Sequence, residues 1–399
     1  MFKNLNLDKT FQFLLIILAF LIPLTVFGAN LIIVIICILW VFSGDYKSKY
    51  YQIINSKVIL ASIVFYLLHI VGLLWSEDLE WGLHVIHKMW YFLLLYPILY
   101  TLTKKNYVKY YISSFLLAIL LSEITSYLIW FNLIEPFKNA TIGNPTPFMS
   151  HISYNPILAF AVYLVLYEIF LNNKLKKPQI YLYSFFAISM SINMFITGGR
   201  AGQVGFLFIL FILIFQYFNS QKFKAFFVTL IVISSVTFTA YQTSTIFQQR
   251  FNETIINLQN YDVNKKSSIG MRITFAFSSW ELIKQSPFIG TGTGDFPIDY
   301  KRVNLTKNPQ IPHTENPHNM YILVLVQLGL IGLISLLSIF YYQIKFSLLS
   351  QNNLSRNVGM TLPLLFLVLM LSDSYLLGHF TSLLFVFFGS FLYKDFDEN

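Results

Sequence analysis

Residues 316–332 read NPHNMYILVLVQLGLIG, and they place a histidine where a polar segment meets an apolar run. Asn316 can cap a helix, and Pro317 suits the first helical position because the N–H that proline lacks is unpaired there. The stretch therefore predicts a membrane helix with His318 in its first turn. The positive end of a helix dipole favours a neutral imidazole, the form that can accept a proton. A histidine that only anchors the helix end at the interface fits the spacing equally well.

The composition places this helix in a membrane protein. Hydrophobic residues make up 56% of the 399 residues, charged residues 11%, and the mean hydropathy is +0.62. Apolar runs of about 20 residues recur along the chain, so we predict an all-α, polytopic helical membrane protein. Lys3 and Lys9 precede the first run and no small-residue cleavage site follows, which predicts an uncleaved first helix. Cys37 is the single cysteine, so an intramolecular disulfide is excluded.

The apolar runs predict about twelve transmembrane helices. The expected spans are 11–27, 29–43, 57–75, 88–103, 111–133, 153–171, 180–197, 201–218, 225–243, 319–342, 358–376 and 379–393. The split of the last apolar stretch into two spans depends on Asp373, Ser374 and His379, which are its only polar interruption.

The basic residues predict the orientation of these spans. One set of loops carries Lys47, Lys49, Lys104, Lys105, Lys109, Lys174, Lys176, Lys177, Lys222, Lys224, Lys345 and Arg356, whereas the short loops on the other side hold only Lys88, Lys138 and Arg200. By the positive-inside rule the first set of loops and both termini are cytoplasmic. The net charge of +9 then reflects topology and does not indicate nucleic-acid binding. We expect three parts: transmembrane helices 1–9 in residues 1–243, an outer loop or lid in 244–318, and helices 10–12 in 319–399.

The outer segment is expected to form a small group of helices. Ser267 or Ser268 can cap a helix that runs to about Gln285. Its apolar residues recur at helical spacing and predict one face that lies on the membrane, with Arg272 beside it; they are Ile269, Ile273, Phe277, Trp280 and Ile283. The glycine run at 290–294 follows a helix and lacks a preceding strand, so it predicts a turn and not a phosphate-binding loop.

Arg200 and Arg272 are the candidate anion-binding residues. An arginine at membrane depth normally faces a partner or a cavity, and a guanidinium can hold phosphate with two parallel hydrogen bonds. For Arg200 this interpretation is favoured over a helix-packing corner built on Gly198 and Gly202. Lys301 and Arg302 also lie in the outer segment, where solvated loop charges are the favoured interpretation.

One acidic cluster and two single acidic residues are further candidates for function. The cluster Glu77-Asp78-Leu79-Glu80, with His84 and His87 after it, could hold a divalent metal, but a solvated helix end is the favoured interpretation. Glu123 and Asp373 lie in or near spans, where acids can mark an ion or proton path, and their roles stay open.

Three motifs together resemble the O-antigen ligase and O-antigen polymerase superfamily of bacterial envelope glycan enzymes. They are Thr197-Gly-Gly-Arg-Ala-Gly202; Met271-Arg272 with Trp280 and the run Ser286-Pro-Phe-Ile-Gly-Thr-Gly-Thr-Gly294; and His318-Asn319 followed after nine residues by Gly329-Leu-Ile-Gly332. The resemblance covers the chain from about Tyr181 onward. One departure is Gly199, where many relatives have serine before the arginine.

The resemblance implies a glycosyltransferase in the bacterial inner membrane, with a large periplasmic loop between spans 9 and 10 and an active site at the periplasmic face. The implied partners are a glycan donor on undecaprenyl pyrophosphate, an acceptor hydroxyl on lipid A–core and membrane lipids. Arg200 and Arg272 would bind the pyrophosphate, and His318 would be the general base in an inverting transfer. Asn319, Lys301 and Arg302 are candidates for additional substrate contacts. This scheme requires no cofactor and no metal.

The same motifs rank the alternative functions of the protein. The His-Asn signature favours a ligase over a polymerase of repeat units or a protein O-oligosaccharyltransferase. A transporter of the lipid-linked glycan belongs to a different class, and the absence of an inverted repeat in the sequence argues against it. A metal-dependent transferase built on Glu77, Asp78 and Glu80 is the last alternative.

Overall fold

A computed structural model of the protein describes residues 7–138, 140–172, 174–261 and 264–396. Within them the chain forms helices joined by turns, with one isolated β-bridge between Thr141 and Asn144. Lys3, which the sequence places before the first span, lies outside the described residues, as do two residues of the outer segment, Asp262 and Val263.

Seventeen α-helices occur in the described residues. In chain order they are α1 (Leu7–Leu21), α2 (Val26–Phe42), α3 (Tyr46–Asn55), α4 (Lys57–Gly72), α5 (Leu79–Trp90), α6 (Tyr96–Leu102), α7 (Val108–Trp130), α8 (His151–Tyr167), α9 (Lys177–Ile196), α10 (Arg200–Phe218), α11 (Lys222–Thr243), α12 (Thr245–Gln259), α13 (Ser268–Gln285), α14 (Phe296–Lys307), α15 (Met320–Leu349), α16 (Asn353–Leu369) and α17 (His379–Leu392). A π-helical turn, Tyr91–Leu95, joins α5 to α6 in one long helix.

The described helices are those of a polytopic membrane protein, which confirms the predicted fold class. Eight segments are long and apolar enough to cross a bilayer, and the pair α2 and α3, bent by 117°, makes a ninth if it is counted as one span. The shorter helices α16 and α17 are also apolar. Each of the twelve predicted spans overlaps one apolar helix, and the predicted division of the last stretch falls between α16 and α17.

Three helices, α12, α13 and α14, lie between α11 and α15, and we call them the lid helices. Ser267 caps α13, since its Oγ accepts a hydrogen bond from the Gly270 N–H at 3.0 Å, and α13 ends at Gln285 as predicted. The predicted apolar face of α13 is divided in the structure. Phe277 and Trp280 are exposed, whereas Ile283 packs in a small core with α14 and α15.

The glycine run after α13 docks the lid helices onto α15. The helix α15 is broken at Gly329, which has φ 58° and ψ −155°. At this break the backbone around the glycine run supplies hydrogen-bond partners that the helix itself does not. The Leu330 N–H donates to the Pro287 carbonyl at 2.9 Å, and the Thr291 N–H donates to the Val326 carbonyl at 2.8 Å. Two of the motifs quoted above, the glycine turn and the glycines of α15, therefore form one structural unit.

The two ends of the described chain lie together at the end of the bundle opposite the lid helices. Lys104 forms an ion pair with Asp8 in α1 at 3.0 Å. Lys394, just after α17, donates from Nζ to the Tyr100 carbonyl at 2.7 Å. We call the other end, where the lid helices pack, the lid end.

Candidate active site

His318 lies before α15 and not inside it, so the predicted position in the first turn is wrong. The helix begins at Met320, and its N-cap is Asn319, whose Oδ1 accepts from the Ile322 N–H at 3.1 Å. Asn316 does not cap the helix because its Oδ1 accepts from the His318 N–H at 2.9 Å. This local turn holds His318 at φ 53°, a conformation that an asparagine two residues earlier can stabilise.

The imidazole of His318 is held by a carboxylate. Nδ1 lies 3.3 Å from Oδ1 of Asp373, a residue in the turn between α16 and α17. The same Oδ1 accepts from Asn316 Nδ2 at 3.2 Å and from the Ser374 N–H at 2.8 Å. On its face, the ring stacks with Phe275 of α13, with centroids 6.2 Å apart. The other nitrogen, Nε2, has no hydrogen-bond partner among the described residues.

The environment keeps Asp373 ionised. Burial raises the pKa of its carboxyl, but the hydrogen bond and charge of His318, the Ser374 N–H and the charge of Arg272 act in the opposite direction. They outweigh burial, so the pKa lies below its ordinary value. A carboxylate in this position can accept a hydrogen bond from Nδ1–H, and that tautomer leaves Nε2 as the nitrogen with a free lone pair.

A cavity of about 240 Å³ lies beside Asp373, and we call it the arginine cavity. Three arginines line it: Arg200, Arg250 and Arg272. Glu253 pairs with two of them, at 3.4 Å from Arg200 and 3.2 Å from Arg250. The Arg272 guanidinium is exposed, and no carboxylate among the described residues lies within 4.0 Å of it. The cavity thus carries an excess of positive charge.

Helix N-termini add to this positive field. His151, Arg200 and Ser268 are the first residues of α8, α10 and α13, and all three line the arginine cavity. No side chain caps α10 at Gly199, and the Arg200 N–H donates to the Gly198 carbonyl at 3.1 Å. Convergent helix N-termini and guanidinium groups form a site for a multiply charged anion.

The glycines around Arg200 serve helix packing. A Cβ on Gly202 would lie 2.3 Å from Asn155 Cβ, so α10 and α8 approach too closely for any side chain there. Asn155 is itself fixed by a hydrogen bond from Thr197 Oγ1 at 2.8 Å. The glycines of this motif therefore pack α10 on α8, and the same helix contact places Arg200 at the cavity.

The other candidate contacts lie away from the arginine cavity. Asn319 caps α15 and donates from Nδ2 to the Leu371 carbonyl at 3.1 Å. Lys301 is exposed on α14. Arg302 pairs with Glu77 at 2.7 Å and with Asp299 at 3.1 Å.

The acidic cluster before α5 is occupied by structural contacts. Asp78 caps α5 by accepting from the Trp81 N–H at 2.9 Å, and Glu77 is the partner of Arg302. In the part of the chain that the structure describes, no group of three or more His, Cys, Asp or Glu side chains is arranged to hold a metal ion. Glu123 is buried within α7 and does not line the arginine cavity.

Sequence reasoning missed Arg250 and His151. Arg250 carried little signal, because it is one of eight basic residues in the outer segment 244–318. His151 carried none, since a histidine before an apolar run is commonly an interfacial residue.

Fold and site together define a multi-pass membrane protein with an arginine-lined cavity and a His–Asp pair at one end of its helix bundle. Residues 185–337 match the family described as O-antigen ligase. Over these residues the match confirms the resemblance found in the motifs. The match covers less than half of the chain: it includes Arg200, Arg250, Arg272 and His318, and it ends before Asp373. No curated protein shows significant similarity to the chain.

Proposed function

We propose that this protein is an O-antigen ligase-like glycosyltransferase. It moves a glycan from undecaprenyl pyrophosphate to an acceptor hydroxyl, in the first instance on lipid A–core, at the periplasmic face of the inner membrane. The observation that carries the proposal is the convergence of three arginines and three helix N-termini on one cavity, next to the Asp373–His318 pair.

The arginine cavity binds the pyrophosphate of the donor. Its volume, about 240 Å³, is below the range of about 300–1,000 Å³ for typical ligand pockets, so it suits a compact head group and not a whole lipid-linked glycan. Arg200 and Arg272 hold the phosphoryl oxygens, and Arg250 adds a third guanidinium. Guanidinium groups that are fixed before the reaction stabilise the charge that develops on a leaving phosphate.

The transfer is a single displacement. The acceptor oxygen attacks the anomeric carbon, the bond from that carbon to the phosphate oxygen breaks, and undecaprenyl pyrophosphate leaves with the electron pair. The acceptor proton passes to Nε2 of His318, while Asp373 accepts the hydrogen bond from Nδ1 and stabilises the imidazolium. Attack from the face opposite the leaving group inverts the anomeric configuration. The residues assigned here require no metal and no cofactor.

The position of the basic residues supports the orientation. The lysine-rich loops lie at the end of the bundle that carries both ends of the described chain, with Lys104 and Lys394 as examples. The positive-inside rule assigns that end to the cytoplasm and the lid end to the periplasm. A donor that is presented at the outer face then meets the arginine cavity directly.

The test is deletion of the gene in its native host, with complementation by the wild type and by His318→Ala, and electrophoresis of the envelope glycans. A ligase predicts loss of surface-attached glycan and accumulation of long polymer on the lipid carrier. Core glycolipid that carries a single repeat unit would instead identify a polymerase. Full transfer by His318→Ala would refute the assignment of the base.

A further inference from the structure

A second cavity, also about 240 Å³, lies on the other side of Asp373, and we call it the tryptophan cavity. It shares three wall residues with the arginine cavity: Ile152, Asp373 and Tyr375. The function proposed above uses only the arginine cavity and the His–Asp pair, and it leaves this neighbouring space without a ligand.

The lining of the tryptophan cavity differs from that of the arginine cavity. It contains no arginine, and its one cation, Lys88, places Nζ 5.9 Å from the centre of the Trp81 ring. His84 lies on the same helix, with its ring 5.0 Å from that of Trp81. Two carboxylates, Glu315 and Asp373, line it as well. The other polar side chains of the wall are neutral hydrogen-bonding groups, among them Ser153, Asn316, Gln327 and Thr381. This chemistry suits a ligand with many hydroxyl groups and an apolar ring face, and does not suit a polyanion.

The backbone at Trp81 is held in place beside this cavity. Trp81 lies in the first turn of α5, which Asp78 caps, and the next residue, Gly82, packs against the glycine run at 290–294. A Cβ on Gly294 would lie 2.6 Å from the Gly82 N atom, so the two backbones are in direct contact. A backbone that is fixed before the ligand binds lowers the cost of ordering the site.

We propose that the tryptophan cavity binds the acceptor saccharide, with a sugar ring stacked on Trp81. This inference rests on the proposed glycosyl transfer, since it names the site of the second substrate. Both cavities are lined by Asp373, the hydrogen-bond partner of His318, so a sugar hydroxyl in this cavity lies next to the donor site. The donor pyrophosphate and the acceptor thus occupy separate cavities that share Asp373 in their walls.

The experiment measures saccharide binding without catalysis. The full-length protein in lipid nanodiscs is titrated with two delipidated probes from the deletion strain: the core oligosaccharide and the single repeat unit. One of these probes is expected to bind the wild type, and Trp81→Ala is expected to weaken its binding about tenfold. His84→Ala, at an exposed position that the fold does not depend on, is expected to weaken it several-fold.

Two matched variants serve as controls. Trp75→Ala removes a partly exposed tryptophan from the same end of the bundle, outside the tryptophan cavity, and saccharide binding should stay within about twofold of the wild type. Arg356→Ala, at the opposite end of the bundle, should behave likewise, because Arg356 lines neither cavity.

The outcomes separate the two proposals. If neither probe binds the wild type, or if binding is unchanged in both Trp81→Ala and His84→Ala, the acceptor site assigned here is wrong. Transfer from the lipid-linked donor is measured in parallel. Saccharide binding that depends on Trp81 without any transfer would support the saccharide site and refute the proposed reaction.

Discussion

Nδ1 of His318 lies 3.3 Å from Oδ1 of Asp373, although the two residues are 55 positions apart in the chain. His318 precedes α15, and Asp373 lies in the turn that links α16 to α17. The contact therefore exists only when the last three helices are assembled. Asn316 reinforces it by bonding to both residues, at 2.9 Å to the His318 N–H and at 3.2 Å to Asp373 Oδ1.

Replacement of Asp373 by asparagine should slow transfer by about a hundredfold or more. The amide can no longer favour a proton on Nδ1 or stabilise the imidazolium, and general-base catalysis is commonly worth about 10²–10⁴-fold. The measurement is the rate of glycan transfer by purified Asp373→Asn at saturating donor. Asp299→Asn, a lid variant outside both cavities, is the control and should retain the wild-type rate. Equal rates for the wild type and Asp373→Asn would remove Asp373 from the mechanism.

Arg250, which the sequence did not single out, should contribute to donor binding. Arg250→Ala is expected to raise the donor KM about tenfold, because one charged hydrogen-bonding group is worth about 1.5–3 kcal/mol. Arg272→Lys should also fail to restore full activity, since an ammonium cannot reproduce a bidentate guanidinium contact.

The control for the arginine series is Arg356→Ala, at the opposite end of the bundle. Arg356 lies near the start of α16, far from the arginine cavity, and its loss should leave the donor KM unchanged. If Arg250→Ala and Arg356→Ala behave alike, the third arginine is not part of the donor site.

Most of the fold could be predicted because membrane spans are determined by local composition. A bilayer demands an apolar run of nearly fixed length, and each of the twelve runs overlaps a helix in the structure. Ser267 and Gln285 were also predictable as the limits of α13, since caps and turn residues act over a few positions. The prediction that Asn316 caps α15 was wrong because two asparagines, Asn316 and Asn319, both suit a helix cap. Local sequence does not distinguish them, whereas in the structure Asn316 accepts a hydrogen bond from Ser374 Oγ.

The candidate site was predictable only in part. Arg200, Arg272 and His318 stand in motifs, and their sequence positions already suggested an anion and a base. The partnership of Asp373 with His318 was not predictable, because it depends on how α16 and α17 pack against the start of α15. The tryptophan cavity was hidden for the same reason: α5, α8 and the 371–378 turn come from distant parts of the chain.

Gly329 should tolerate no side chain. Its φ of 58° and ψ of −155° lie in a region that is essentially restricted to glycine, and a Cβ would lie 2.3 Å from the Phe288 carbonyl carbon. Gly329→Ala is therefore expected to lower the free energy of unfolding by more than about 1–2 kcal/mol, the usual cost of a left-handed residue alone. Thermal unfolding in detergent measures the effect.

Two other glycines separate the causes of this destabilisation. Gly44 has φ 69° and open space around its Cβ position, so Gly44→Ala reports the backbone cost alone. Gly143 has open space and no positive φ, and Gly143→Ala should be neutral. If Gly329→Ala is no worse than Gly44→Ala, the contact between α15 and the glycine turn does not hold the lid helices in place.

The ion pair between Glu77 and Arg302 should make the docking of α14 sensitive to acid. The hydrogen bond and charge of Arg302 lower the pKa of Glu77 below its ordinary value of 4.5. A carboxyl whose folded pKa is depressed contributes stability above its unfolded pKa, and this contribution disappears as the pH falls through the folded pKa. Glu77→Gln should therefore unfold at a lower temperature than the wild type at pH 7, and the difference should vanish in acid, once Glu77 is protonated in the folded protein.

The solvent exposure of this pair sets the expected size and the control. Both side chains are about 60% exposed, so the effect on the unfolding temperature at pH 7 should be small and should shrink further in 1 M salt. Glu135→Gln removes an exposed carboxylate that is not paired with a cation among the described residues, and it should match the wild type at every pH. Protonation and salt screening remove only the effect of the charge. If Glu77→Gln still unfolds at a lower temperature than the wild type in acid and in high salt, the glutamate side chain acts through packing.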